Sequence, residues 1–273
     1  MCKKPYRKGN LSFGCGQCTH CRINRVRVWV GRMMLESSYH PASTFVTLTY
    51  NDEHLPNPPY VSKKAVQLFL YKLRAYAPDR KFRYYAVGEY GEKSWRPHYH
   101  LIIYGLYPTE TALIEKCWPF GFVKLGTVEN DSCSYVASYL IKRMTKKADP
   151  RLEGRPPEFS LMSLKPGIGH RIVDSIERNY DNDRGDAALK KTLAPPNTIR
   201  LGENGVYPLG AYLSSKVADR LGYTKADKKL LTSERSYILF QKQQGRTVTS
   251  IESERLSKLS QQNSKVRIKR RYL

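Results

Sequence analysis

Between residues 44 and 147 the apolar positions follow two periods. TFVTLTY, residues 44–50, combines β-branched and aromatic residues in the manner of a strand. From Ser62, a residue suited to a helix N-cap, the spacing changes. Ala65, Leu68, Phe69, Leu73 and Tyr76 recur at helical intervals, and Pro78 stops the run. FRYYAVGE (82–89) and HYHLIIYG (98–105) read as strands joined through YGEKSWRP into a long hairpin. A short helix is predicted around TALIEKCW (111–118), a strand over GFVKLGTV (121–128), and a helix from about Ser132 to Lys147. The order β-α-β-β-α-β predicts an α+β fold of the split βαβ, ferredoxin-like kind. Its sheet is antiparallel, with helices packed on one face and the other face open to a ligand.

The flanks read differently. RINRVRVWVGRMMLESSY, after the first cysteines, has a helical pattern. Beyond residue 149 proline and glycine become frequent (PRLEGRPP, KPGIG, LAPPN), which marks loops and a boundary. Three segments are therefore expected. These are a basic, Cys-rich N-terminal arm and helix over 1–40, the sheet domain over 41–149, and a basic C-terminal accessory extension over 150–273 ending in KVRIKRRYL.

Charge narrows the partner. Lys and Arg number 47 against 24 Asp and Glu, a net charge of +23, far more than solubility requires. A polyanion is implied. No apolar run is long enough to span a bilayer, and no basic amphipathic helix has a strong apolar face, so nucleic acid is favoured over a membrane surface. The N-terminus MCKKPYRKGN is not a signal peptide, which makes a reducing, cytoplasmic setting the expectation. Residues 1–35 contain no acid, and Arg22, Arg25 and Arg32 on the helical segment are candidates to meet phosphates, as is Lys146 further on.

Cysteine and histidine bring in the chemistry. In CGQCTHC, Cys15, Cys18 and Cys21 fall three residues apart, with Cys2 upstream and His20 inside. Three close thiols and a fourth ligand suit tetrahedral Zn²⁺, although the paired CxxC…CxxC pattern is missing and thiols on a basic arm remain the alternative. In RPHYHLIIYG a strand places His98 and His100 on one face. Glu89, at the end of the preceding strand, can return beside them through the hairpin, whereas Glu92 falls in the connection. Two imidazoles and a carboxylate suit Mg²⁺ or Mn²⁺ with positions left for phosphate oxygen.

On the last helix Tyr135, Tyr139, Lys142 and Lys146 form one stripe, and Val136, Leu140 and Met144 an apolar stripe on another side. The helix already has a core face, so the tyrosines are free for chemistry. A phenol of pKa about 10 is a weak nucleophile at neutral pH. It needs a cation for the phenoxide, which Lys142 could supply, and a Lewis acid at phosphorus. Attack on a DNA phosphodiester would leave a 5′-phosphotyrosine and a free 3′-OH, with the bond energy retained for rejoining. No GxxxxGK[ST] loop is present, so no ATPase of its own is expected.

These residues resemble the HUH endonucleases (His, hydrophobic, His), most closely the replication initiators of microviruses, the small single-stranded DNA phages, of gokushovirus type. FVTLTY is similar to the family's first motif, RPHYHLIIYG to its metal motif and YVASYLIK to its paired-tyrosine motif; YYAVGEYGEKSWRPHYH and SLKPGIG are similar to the phage branch. The resemblance implies origin nicking and later rejoining of single-stranded or supercoiled phage DNA, covalent attachment, and rolling-circle synthesis by host helicase and polymerase in the bacterial cytoplasm. It assigns His98 and His100, with Glu89, to the metal, Tyr135 and Tyr139 to nucleophilic attack, and Lys142 to their support. Ser138 departs from relatives with a lysine between the tyrosines, which puts the equivalence of the two in question. Two other readings compete. A non-catalytic single-stranded binder would use Tyr84, Tyr85 and Tyr99 to stack bases, and a tyrosine transposase of the same superfamily would share the chemistry.

Overall fold

The computed structural model of the chain describes residues 2, 4–8, 11–91, 94–142, 149–182, 184–185 and 194–243. They divide into two compact units. One is Arg25–Arg171 with Arg200–Pro208, and the other is drawn from Met1–Asn24, Ile172–Ile199 and Leu209–Leu273. The elements begin with β1 (Tyr6–Lys8), β2 (Leu11–Phe13), α1 (Thr19–Ser37), β3 (Ser43–Tyr50), α2 (Lys63–Tyr76), β4 (Arg83–Tyr90) and β5 (Pro97–Tyr104). They continue with α3 (Thr111–Cys117), β6 (Gly121–Thr127), α4 (Asn130–Lys142), β7 (Phe159–Met162) and α5 (Ile172–Tyr180).

The sheet of the first unit runs β6-β3-β5-β4-β7, with every neighbour antiparallel. Without β7 this is the strand order of the split βαβ arrangement that the element sequence predicts. On one face Val46, Leu48, Tyr99, Leu101 and Ile103 meet Val66, Phe69, Leu70 and Leu73 of α2 and Ile114 of α3. Each such side chain, fully buried, contributes about 1.5–3 kcal/mol, so this layer dominates the unit's stability.

Local signals set the ends of α2. Ser62 Oγ accepts from Ala65 N at 3.2 Å, and the Tyr99 hydroxyl accepts from Ser62 N at 2.9 Å. Pro78 disfavours helical backbone at Ala77, which is the C-cap. The buried stripe, however, is Val66, Phe69, Leu70 and Leu73; Leu68 and Tyr76 from the expected face are exposed. Both stripes have helical spacing, and docking on the sheet selects between them.

Three expectations are corrected. The second sheet face is not open. The Trp29 ring of α1 lies 5.1 Å from that of Tyr85, and α4 packs over β4 and β5 with Cys133, Val136 and Ala137 buried. The boundary at 149 falls inside the unit, because Leu152 is fully buried in the main core and Phe159–Met162 pairs with β4. That pairing needs Gly88, where a Cβ would lie 2.7 Å from the Phe159 ring. Finally, Arg32 is buried, its guanidinium 4.2 Å above the Trp29 ring and its Nε donating to Ile168 O at 3.0 Å. It serves packing and cannot present its charge to a phosphate.

In the second unit α5 is joined by α6 (Gly210–Arg220) and α7 (Lys225–Gln243). Arg220 of α6 pairs with Asp174 and Glu177 of α5 at 2.9 and 2.8 Å. The tail KVRIKRRYL lies outside the described residues.

Candidate active site

Strand register builds the site. Thr47 and Thr49 of β3 stand opposite His100 and His98 of β5, while Val87 and Glu89 of β4 flank them on the other side. The alternation that puts two histidines on one face therefore puts two threonine hydroxyls and a carboxylate on the same face. Thr47 Oγ1 lies 3.0 Å from Nδ1 of His100, whose Nε2 lies 3.0 Å from Glu89 Oε1. When Nδ1 donates to the threonine, the Nε2 lone pair faces the cleft, as in imidazoles that bind metals. His98 is held more loosely, with Nδ1 3.5 Å from Thr49 Oγ1. Burial lowers the His98 pKa, and the nearby His100 and Arg96 act in the same direction, so the ligand-competent neutral ring is favoured.

Helix α4 brings the phenols to the same place. The Tyr135 and Tyr139 rings are 5.2 and 5.3 Å from the His100 ring and 5.0 Å from each other. Tyr139 stacks on the imidazole at 5°, whereas Tyr135 meets it edge-on at 83°. Phe45 stacks on His100 from β3 at 6.0 Å. Tyr135 is 46% exposed and Tyr139 9%, so the two phenols are not equivalent. Burial pushes the Tyr139 pKa well above its ordinary value, and hydrogen bonding to Tyr135 and the Glu89 charge add to this.

These groups line a cleft of about 480 Å³ together with Tyr90, Trp95, Arg151 and Glu158, which sequence reasoning missed. Arg151 and Glu158 lie beyond the expected boundary and reach the cleft through the turn after α4 and the lead into β7. Arg151 pairs with Asp149 at 2.6 Å, and buried Glu158 accepts from Tyr90 N at 3.2 Å. Trp95 holds a left-handed φ of 55° and packs edge-on against Tyr90 at 5.4 Å, with Arg155 4.5 Å over its ring. Thr47 and Thr49 were missed as well, although the TxT of TFVTLTY matching the HxH was a usable signal.

Other candidates fall elsewhere. Lys142 is the last residue of α4, one turn past Tyr139; its side chain, Lys146 and Glu92 lie outside the described residues. Arg25 is exposed on α1 but does not line the cleft, and Arg22 belongs to the other unit. The stacking residues of a binder are also unavailable, since Tyr85 and Tyr99 are fully buried.

The second unit holds the cysteine cluster. Among the described residues, Cys2, Cys15, Cys18 and Cys21 are the group whose ligand atoms converge, all within 4.8 Å of one another, and they could hold a metal such as zinc. His98, His100 and Glu89 do not converge to that degree. The backbone N–H groups of Cys18 and Gln17 donate to Cys15 Sγ and hold its thiol below the usual range. A hollow of about 580 Å³ in this unit has, among the described residues, Lys228 as its one ionisable lining side chain and offers no acid–base pair. No helix among the described residues is long and apolar enough to cross a membrane.

Residues 43–146 match the family model described as replication-associated protein ORF2. The replication-associated protein VP4 of Bdellovibrio phage phiMH2K is 31% identical over 187 residues, 60% of this chain and 58% of that protein. The replication-associated protein ORF2 of Spiroplasma virus 4 is 32% identical over 203 residues, 64% of this chain and 61% of that protein. The replication-associated protein ORF4 of Chlamydia phage 1 is 25% identical over 157 residues, covering 50% and 39%. The chain thus spans less than two thirds of the length of these relatives.

Proposed function

The chain carries, over residues 43–146, the domain of the replication-associated protein ORF2 family, and from that premise we propose that its cleft nicks and rejoins single-stranded DNA at a phage origin, so that rolling-circle replication begins. The observation that carries this reading is the convergence of two phenols on one imidazole. Tyr135 and Tyr139 each lie within 5.3 Å of the His100 ring, whose Nε2 is 3.0 Å from Glu89.

The tyrosine oxygen attacks phosphorus, a P–O bond to the phenol forms, and the bond to the 3′ oxygen breaks. The phenol proton is balanced by protonation of the departing 3′-OH. Rejoining reverses the sequence, and the free 3′-OH is what a host polymerase with its helicase would extend. Exposed Tyr135 reaches a phosphate entering from solvent more readily than Tyr139, which burial holds against His100. Arg151, at the rim of the cleft, offers its guanidinium to an adjacent phosphate.

The donor set fits a divalent cation. A carboxylate, a ring oriented by Thr47 and a second imidazole of lowered pKa are ligands that Mg²⁺ or Mn²⁺ accepts. His98, His100 and Glu89 would hold it. When bound, it supplies polarisation of the scissile phosphate and charge stabilisation. Until it binds, Glu89 engages His100 and Tyr139 and keeps the latter protonated.

The test is to incubate the full chain with single-stranded or supercoiled origin DNA and Mg²⁺ or Mn²⁺, then to look for a protein–DNA species that survives denaturation. The wild type should form it. The Tyr135→Phe/Tyr139→Phe double variant should lose at least about 10³-fold in rate, since no nucleophile remains, and His100→Ala should be comparably impaired. An adduct formed undiminished by the double variant, or by His100→Ala, would overturn the reading. Binding with no adduct under any metal would favour a non-catalytic single-strand binder instead.

A further inference from the structure

Outside the catalytic cleft, the tightest convergence of metal-ligating atoms among the described residues is the N-terminal thiol cluster, and we propose that Cys2, Cys15, Cys18 and Cys21 form a closed, structural tetrathiolate zinc site separate from the histidine site. Four sulfurs bound at about 2.3 Å to one zinc stand roughly 3.8 Å apart along the edges of the tetrahedron. The Cys18 and Cys2 sulfurs are 3.7 Å apart, and all four ligand atoms lie within 4.8 Å of one another. A disulfide would need the sulfurs near 2.05 Å; none of the four cysteines is in one.

The fourth ligand is Cys2 rather than His20, whose side chain is exposed and outside the group. The backbone supports thiolates. Cys15 Sγ accepts from Cys18 N at 3.2 Å and from Gln17 N at 3.4 Å, and Cys2 Sγ accepts from Cys15 N at 3.3 Å. Gly16, with a φ of 72°, sets the turn that aims these N–H groups. Four thiolates around Zn²⁺ leave two excess negative charges, and the site lies in a segment, residues 1–35, that carries Lys and Arg but no acid.

The role follows from what surrounds it. Strands β1 and β2 have three residues each and, among the described residues, pair only with one another. An isolated hairpin of that length is not self-supporting in water. Cys2 precedes β1, Cys15 and Cys18 follow β2, and Cys21 sits in the first turn of α1. One ion therefore closes the hairpin and fastens it to the helix start. With four protein ligands no position remains for water or substrate, so the zinc holds structure and does no chemistry.

Metal analysis of the full chain, purified under reducing conditions without chelator, tests this. Roughly one zinc per chain is expected in the wild type and in His98→Ala/His100→Ala, with most of it lost in Cys15→Ser/Cys18→Ser. Because the cysteine variant could fail to fold, wild type reloaded with Co²⁺ provides an independent readout. Thiolate-to-cobalt charge transfer and intense tetrahedral d–d bands are expected. A wild type that takes up neither metal, or whose zinc follows the histidines instead of the cysteines, would overturn the proposal. Loss of nicking with zinc retained would count against the nuclease reading alone.

Discussion

At the residue scale the site depends on orienting groups as much as on the reacting ones. Thr47 touches no substrate atom in the proposed reaction, yet its hydroxyl at 3.0 Å fixes the ring of His100 against which both phenols pack. Thr47→Val keeps the shape and β-branching of the side chain and removes only that hydrogen bond. Nicking should fall about 10- to 100-fold, the range for loss of a partner that orients a metal-binding imidazole. The thermal unfolding midpoint should change little, and a higher metal concentration should recover part of the rate. Unchanged kinetics in a single-turnover nicking assay would remove the threonine from the account. The HxH and the tyrosine pair could be read from the sequence because spacing alone puts them on common faces. Thr47 acquires a meaning only when β3 is known to pair with β5 in that register.

At the element scale, one carboxylate joins three pieces of the first unit. Glu36 of α1, 2% exposed, accepts from Arg83 of β4, from Gly169 N at 2.6 Å and, at 3.2 Å, pairs with His40. Burial alone would raise its pKa. The His40 hydrogen bond, the Gly169 N–H and the Arg83 guanidinium outweigh burial and hold the carboxyl below its ordinary value. The unfolded carboxyl titrates at the ordinary value and the folded one below it. The stabilisation is therefore complete above the ordinary range, near pH 4–5, and is lost as the pH falls through the lowered value. Glu36→Gln should destabilise the chain by about 2–4 kcal/mol near neutral pH, because Arg83 loses its buried partner. Its stability should then decline less than that of wild type between neutral and acid pH. Denaturant unfolding of both proteins across that range checks the sign; parallel pH profiles would show that Glu36 is not the linked group. Spacing could not reveal this joint, since residues 36, 83 and 169 are far apart in the chain. The same limitation explains Arg32, where a cation in an acid-free segment suggests a phosphate contact until the Trp29 ring and the Ile168 carbonyl are seen to enclose it.

At the scale of the whole molecule, the net charge of +23 is the property that acts at long range. Single-stranded DNA binding should be strongly salt-dependent, whatever the DNA sequence. If about five phosphates are neutralised, affinity should drop about a hundredfold between roughly 50 and 200 mM salt. Equilibrium titrations on origin and unrelated strands should give nearly parallel slopes in log K against log salt, because counterion release carries no sequence information. A flat dependence would mean that the basic residues face each other or the protein's own acids rather than DNA. The division into units belongs to this scale too. The sheet domain extends past the proline-rich stretch at 150, since Leu152 and Phe159 complete its core. Proline and glycine mark where the backbone turns, not whether the chain afterwards returns to the same core.

The sequence by itself determined the order of strands and helices, the faces carrying the histidines and the tyrosines, the cysteine cluster and the polyanionic partner expected from the charge. These are properties of spacing and composition within short windows. Tertiary structure alone decided which stripe of α2 is buried, that α1 and α4 cover the second sheet face, and that Thr47, Arg151 and Glu158 join the cleft. It also showed that Cys2 returns to the other three thiols. Each of these depends on contacts between residues distant in the chain, where strand register and packing select one arrangement from several that local periodicity allows equally.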